Sequence, residues 1–91
     1  MVLGRRSTFR VPVASRVHWS LRGSRSQTLS TTKDWSRGGL FIRTTQPRSP
    51  GEVLSILMEL GGGTVRIEGT VVHRCHDGMG VRLDITGARV V

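Results

Sequence analysis

The chain has 91 residues and a mass of 10.0 kDa, and 36% of its residues are hydrophobic, which is enough for one small core and not for two. It has no apolar run of about 18 residues that could span a membrane, and its one cysteine, Cys75, excludes an internal disulfide. The start of the chain lacks the apolar segment of a secretory signal. These features predict a cytoplasmic protein.

The charge is strongly positive. Fourteen Lys and Arg residues against six Asp and Glu give a net charge of +8, and Lys33 is the only lysine among them. An arginine guanidinium can grip a phosphate or a guanine edge with two parallel hydrogen bonds, and it stacks on bases. The composition therefore predicts an anionic or nucleotide-like partner. The alternative is that a GC-rich genome sets the arginine content.

The first predicted elements are two strands. Apolar and polar residues alternate before a polar turn at 23–26, which is typical of a half-buried strand. Its apolar face consists of Val11, Val13, Val17, Trp19 and Leu21. A weaker strand follows over residues 28–32.

The middle of the chain alternates between turns and strands. Residues 34–39 form a glycine-containing turn, residues 40–44 a short strand, and residues 46–51 a second turn. The apolar run in 52–60 fits helical and strand periods alike. We favour a buried strand because the run is only nine residues long and is flanked by turns.

The last third predicts a hairpin and a final strand. After a turn at 61–63, alternation resumes around Gly69, which predicts a bulge or sharp bend there. Asp77-Gly78 is a hairpin signal, and the last strand alternates over 81–85. Six strands without a clear helix predict an all-β fold, a small six-stranded antiparallel β-barrel, in which closure removes exposed edges.

Three motifs could carry chemistry. Arg5, Arg6 and Arg10 precede the first strand on what we expect to be a flexible arm (residues 1–10), ahead of the barrel (residues 11–91). Such an arm could fold over an anion, or it could be a solvated terminus.

The second motif is Asp34-Trp35-Ser36-Arg37-Gly38-Gly39. Its carboxylate matches the two donors on the guanine edge, and the turn exposes backbone N–H groups. The alternative is an Asx-turn. Gly78-Met79-Gly80-Val81 taken alone is a hairpin and strand start.

Together and in this order, the three motifs resemble those of the PilZ domain family of bacterial cyclic di-GMP receptors. The family pattern is an RxxxR arm, a (D/N)xSxxG turn and a late GxGV strand start, and the resemblance covers about residues 5–85. It implies a six-stranded barrel that binds cyclic di-GMP on its outer surface in second-messenger signalling. The implied ligand-binding residues are Arg5, Arg6, Arg10, Asp34, Ser36, Gly38, Gly39 and Gly80.

The resemblance also bears on partners. It implies an adaptor that closes its arm over the ligand, and because so small a domain has no effector of its own, the signal would pass to an unidentified downstream protein. No nucleophile–base arrangement is visible in the sequence, so we expect neither enzymatic activity nor a cofactor. Family members often add a C-terminal helix, but the five residues after Thr86 are too few for a stable one. We therefore expect little or no C-terminal helix. Apolar surface left exposed at that end would favour a homodimer.

Other functions fit the sequence less well. His73, Cys75, His76 and Asp77 form a metal-like cluster, but they lack a second ligand group, so we expect no metal site. A nucleic-acid-binding barrel fits the charge, but it needs exposed aromatic residues for stacking, which are few here. The remaining alternative is a PilZ-like interaction module that does not bind ligand.

Overall fold

The chain folds into an all-β structure, as the sequence predicts. The computed structural model describes residues 15–36, 38–60 and 62–91, with Trp35, Ser36 and Leu60 described by their backbone alone. A single 3-10 turn, Ile85–Gly87, is the only helical element in these ranges. The strands are β1 (Arg16–Leu21), β2 (Thr28–Ser36), β3 (Gly39–Arg43), β4 (Val53–Leu60), β5 (Gly63–Cys75), β6 (Gly78–Leu83) and β7 (Arg89–Val90).

Six of these strands close into a barrel. Hydrogen-bonded neighbours follow the order β4-β1-β2-β3-β6-β5, all antiparallel, and a further pairing of β4 with β5 closes the ring. The two-residue strand β7 pairs with β5 at Val65 and Arg66, outside the ring. The predicted six-stranded antiparallel barrel is confirmed.

The interior is filled by one apolar cluster, and among the side chains that the structure describes, every strand of the ring except β2 contributes to it. Burying each such side chain contributes about 1.5–3 kcal/mol relative to leaving it exposed. On β4, Leu54, Ile56 and Met58 are buried at every second position, which is the strand period and settles the choice against a helix. The cluster comprises Val17, Trp19, Leu40, Ile42, Leu54, Ile56, Met58, Ile67, Val71, Met79 and Val81.

Trp19 faces the interior, as the alternation in β1 predicts. Its ring is buried, and its indole N–H donates to the Ser30 hydroxyl at 2.9 Å. This bond satisfies the one polar atom that burial of the indole would otherwise leave unpaired. Trp19 is therefore a core residue and offers no surface for a ligand.

Gly69 is needed for close packing at the point where β5 passes from one neighbour to the next. It pairs with Leu54 of β4 on one side and with Leu83 of β6 on the other. A Cβ at this position would collide with the side chain of Val81 inside the barrel. The bulge expected at Gly69 lies instead between Val71 and His73, so that part of the prediction was misplaced.

Two boundaries near the C-terminus differ from expectation. The β5–β6 hairpin turns at His76 and Asp77, and Gly78 is already the first residue of β6. The last predicted strand extends too far, because Ile85 belongs to the 3-10 turn and is exposed. That turn is held by Gly87 N–H donating to the Asp84 carbonyl and by the Thr86 hydroxyl donating to the Asp84 carboxylate.

Candidate ligand-binding site

A bulge in β2 sets the position of Asp34. Lys33 pairs with Phe41 and Ser36 pairs with Gly39, so two residues of β2, Asp34 and Trp35, oppose the single residue Leu40. Asp34 has a φ of 54°, in the left-handed region that Asp tolerates better than most residues. The predicted turn is therefore a bulged strand end followed by a tight hairpin, in which Gly38 has a φ of 82°.

The Asp34 carboxylate is free to accept hydrogen bonds. The residue is half-buried, and its side chain has no hydrogen bond or ion pair with any residue in the part of the chain that the structure describes. The alternative in which Asp34 caps an Asx-turn accordingly has no bond to support it. Among the described residues, the carboxylate is therefore an unused acceptor pair, beside a backbone with a positive φ.

A second bulge, in β5, brings His73 to the outer wall. Val71 pairs with Val81, and His73 pairs with Gly80, so Val72 is the extra residue. In an unbroken register, Val72 would pair with Gly80 and His73 with Met79, which points into the core. The bulge reverses this and leaves His73 exposed on the outside of the barrel, next to Gly80.

The outer wall therefore carries one continuous row of four residues across four adjacent strands. Lys33 on β2 pairs with Phe41 on β3, Phe41 with Gly80 on β6, and Gly80 with His73 on β5. The Lys33 ammonium lies 5.0 Å from the centroid of the Phe41 ring. The centroids of the Phe41 and His73 rings are 6.1 Å apart, at an interplanar angle of 35°. We call Phe41 and His73 the ring pair.

The glycines of Gly78-Met79-Gly80 make room for the ring pair. A Cβ at Gly80 would collide with the His73 ring, and a Cβ at Gly78 would collide with the Phe41 ring and the Ile42 carbonyl. Met79 between them points inward and is fully buried. This motif therefore forms the floor beneath two aromatic side chains.

These features meet in one open cleft of about 420 Å³ on the outer wall. Three of the implied ligand-binding residues line it: Asp34 and Gly39 from the second motif, and Gly80 from the third. Lys33, Phe41 and His73 line it as well. The structure thus joins two motifs that are some forty residues apart in the chain.

The far end of the cleft is polar. The Cys75 thiol donates to the Asp77 carboxylate at an Sγ–Oδ1 distance of 3.1 Å, and this bond is the main reason that the pKa of Asp77 lies below its usual 3.8. The positive charge of Lys33 is a smaller contribution in the same direction. Two carboxylates, Asp34 and Asp77, therefore share this cleft with one ammonium group.

Other predicted site residues stand differently. Arg5, Arg6 and Arg10 lie outside the described residues, and Ser36 is described by its backbone only. Gly38 forms the tip of the β2–β3 hairpin and is not among the residues that line the cleft. The roles that the resemblance implies for these residues remain predictions.

A second, larger cleft of about 720 Å³ lies over β1 and β4. It is lined by residues such as His18, Leu29 and Leu57, and it contains no described residue of the three motifs. Size alone would favour it. The smaller cleft is the candidate site because it holds the Asp34 carboxylate and the ring pair.

Two further findings concern the described residues only. Within 15–36, 38–60 and 62–91, no three His, Cys, Asp or Glu side chains come close enough together to hold a metal ion. In the same ranges, no helix is both long enough and apolar enough to cross a membrane.

The sequence matches the PilZ domain family over residues 4–89, which is nearly the whole chain. The chain therefore belongs to the PilZ domain family, which is known for binding cyclic di-GMP. No curated protein matches it.

Sequence reasoning missed Lys33 and Phe41 as residues of the site, and it considered His73 chiefly within a metal-like cluster. Lys33 directly precedes the second motif, and Phe41 follows it by two residues, so alternation from Leu40 could have placed Phe41 outside. No comparable signal exists for His73, because its side depends on the bulge at Val72.

Proposed function

We propose that this domain is a receptor for cyclic di-GMP that binds the ligand in the cleft beside Asp34 and closes its N-terminal arginine arm over it. The observation that carries the proposal is the meeting of Asp34, Gly39 and Gly80 in one cleft, in a chain that belongs to the PilZ domain family. The chemistry of the cleft and the reach of the arm support it as well.

The cleft is suited to a base more than to a phosphate. Asp34 offers two acceptor oxygens, and guanine presents two donors, N1–H and the exocyclic amine, on one edge. Two carboxylates against one lysine make the described cleft a poor site for two phosphates. The phosphates of cyclic di-GMP therefore need further cations, which Arg6 and Arg10 would supply as bidentate donors.

The arm is long enough to do this. The Ser15 carbonyl accepts a hydrogen bond of 2.8 Å from the Thr32 N–H, and Thr32 directly precedes Lys33 of the cleft. Arg10 stands five residues before Ser15, and an extended chain of that length spans up to roughly 17 Å. Capture of such a segment by a ligand would create a new surface, so the output would be contact with another protein.

A calorimetric titration with cyclic di-GMP, with GTP and a short single-stranded DNA as controls, tests the proposal. We expect saturable binding of cyclic di-GMP below roughly 100 μM, which corresponds to about 5.5 kcal/mol, and no comparable binding of GTP. If the titration gives no heat of binding at that concentration, the receptor function is refuted. Tighter binding of the DNA would assign the domain to nucleic-acid binding instead.

A further inference from the structure

The ring pair is a surface that the stability of the barrel does not require. On the inner face of the same strands, the core is already packed by Ile42, Met79 and Val81, which are all buried. His73 is exposed, and Phe41 is half-buried on the outer face. An aromatic residue that stays partly exposed on the outer wall gains less from burial than a core residue does.

The surroundings of the ring pair favour a planar ligand with a polar edge. Gly80 presents no side chain, so the faces of His73 and Phe41 are not separated by a bulky group between the strands. Asp34 and Lys33 line the same cleft, and they offer an acceptor pair and a donor respectively. Guanine has donors on one edge and the acceptors O6 and N7 on another, so both groups have a matching partner on a purine.

We propose that the ring pair is a stacking platform for one purine base of the ligand, that His73 is the residue in contact with that base, and that Gly80 acts only by positioning His73. This inference rests on the proposed function, which it deepens by adding contact residues outside the arm and outside the Asp34 motif. Base stacking on an aromatic side chain tolerates different rings, because it uses the face of the ring.

The first test combines calorimetry with substitutions at two histidines. His73→Ala should weaken cyclic di-GMP binding about tenfold, which is about 1.4 kcal/mol, and His73→Phe should restore most of that loss because a ring face is regained. His76→Ala is the matched control: His76 is exposed in the β5–β6 turn and does not line the cleft, so its variant should bind like the unaltered protein.

The second test reads His73 directly in the unaltered protein. In spectra of ¹³C-labelled histidine side chains, added cyclic di-GMP should move the His73 ring protons upfield, because a stacked base shields them. His18 lines the cleft over β1 and β4, and His76 lies in the turn, so both serve as internal references. This measurement does not depend on whether any variant folds.

The role assigned to Gly80 has its own test. Gly80→Ala should displace the His73 ring and lower affinity in the unaltered background, yet have little further effect when His73→Ala is already present, because the colliding ring is then absent. The His73 signals of Gly80→Ala should shift even without ligand. Equal losses in both backgrounds would mean that Gly80 contacts the ligand by itself, which would overturn its role as a positioning residue.

The outcomes separate this inference from the proposed function. If the unaltered protein binds cyclic di-GMP while His73→Ala binds equally well and the His73 protons do not move upfield, the platform is refuted and the receptor function stands. If the unaltered protein does not bind, both are refuted. An upfield shift of His73 with single-stranded DNA but not with cyclic di-GMP would refute the assigned ligand.

Discussion

The imidazole ring of His73 occupies the space in which a side chain at Gly80 would lie. The two residues are register partners on β5 and β6, and the relationship exists only because a bulge at Val72 turns His73 outward. A glycine that sequence reasoning assigned to direct ligand contact therefore has a local steric reason to be there. Gly78, two residues earlier, has a different steric reason, because a Cβ there would meet the Ile42 carbonyl as well as the Phe41 ring.

Alanine substitutions at Gly78 and Gly80 should have different effects on stability. At Gly78 the new Cβ meets the Ile42 carbonyl, which belongs to the backbone of β3 and cannot rotate away. We expect the free energy of unfolding to fall by about 1–3 kcal/mol. Each kcal/mol lowers the melting temperature of a domain of this size by about 4–8 °C. At Gly80 it meets only an exposed ring, so the melting temperature should change little. Thermal unfolding of both variants followed by circular dichroism checks this, and equal losses would contradict it.

Asp34→Gly should separate ligand binding from folding. Asp34 has a positive φ, so glycine removes the carboxylate and relieves backbone strain at the same time. We expect affinity for cyclic di-GMP to fall at least about tenfold, or 1.4 kcal/mol, with an unchanged or higher melting temperature. Asp34→Ala is the comparison: alanine tolerates a positive φ less well than aspartate does, so this variant should also lose stability. If affinity survives in Asp34→Gly, the carboxylate does not recognise the ligand.

The arm arginines should matter for affinity and not for folding. Arg6→Ala and Arg10→Ala should each cost about 1.5–3 kcal/mol of binding free energy, the usual range for a charge-assisted hydrogen bond. Arg→Lys at either position should also weaken binding, since lysine lacks the planar fork. Calorimetry measures the affinities, and circular dichroism shows whether each variant keeps the native fold. Unchanged affinity in both alanine variants would remove the arm from the mechanism.

Stability at acid pH should depend on Glu52. The Ser49 backbone N–H donates to its carboxylate at 2.7 Å and is the main cause that lowers its pKa below 4.5, with Arg48 contributing in the same direction. A depressed carboxyl pKa stabilises the folded state above the unfolded value, and this stabilisation is lost as pH falls through the folded value. Glu52→Gln should therefore flatten the fall in melting temperature below about pH 4.5. An unchanged pH profile would contradict this.

Much of the fold could be predicted because the strands alternate. Val17 and Trp19, or Leu54, Ile56 and Met58, identify their buried faces without knowledge of their partners. The ends of the strands were less certain. Ile85 is apolar and so continues the alternation of β6. The strand ends before it, because hydrogen bonds from Gly87 and Thr86 to Asp84 form the 3-10 turn.

The site was predictable only in its motif residues. Asp34 and Gly39 stand close together in the chain and were found as a unit. The row from Lys33 to His73 depends on strand order and on the bulge at Val72, and a shift of register by one residue exchanges the two faces of a strand. Neither the order nor the bulge can be read from alternation, since both depend on pairing between distant segments.

The central claim, that cyclic di-GMP binds in the cleft beside Asp34, is tested most directly by following backbone amide signals during a titration. The account predicts that the amides of Lys33, Asp34, Gly39 and Gly80 shift most, while those of the larger cleft, such as Leu57 and Thr64, stay in place. Shifts confined to the cleft over β1 and β4, with Asp34 and Gly80 unmoved, would contradict it.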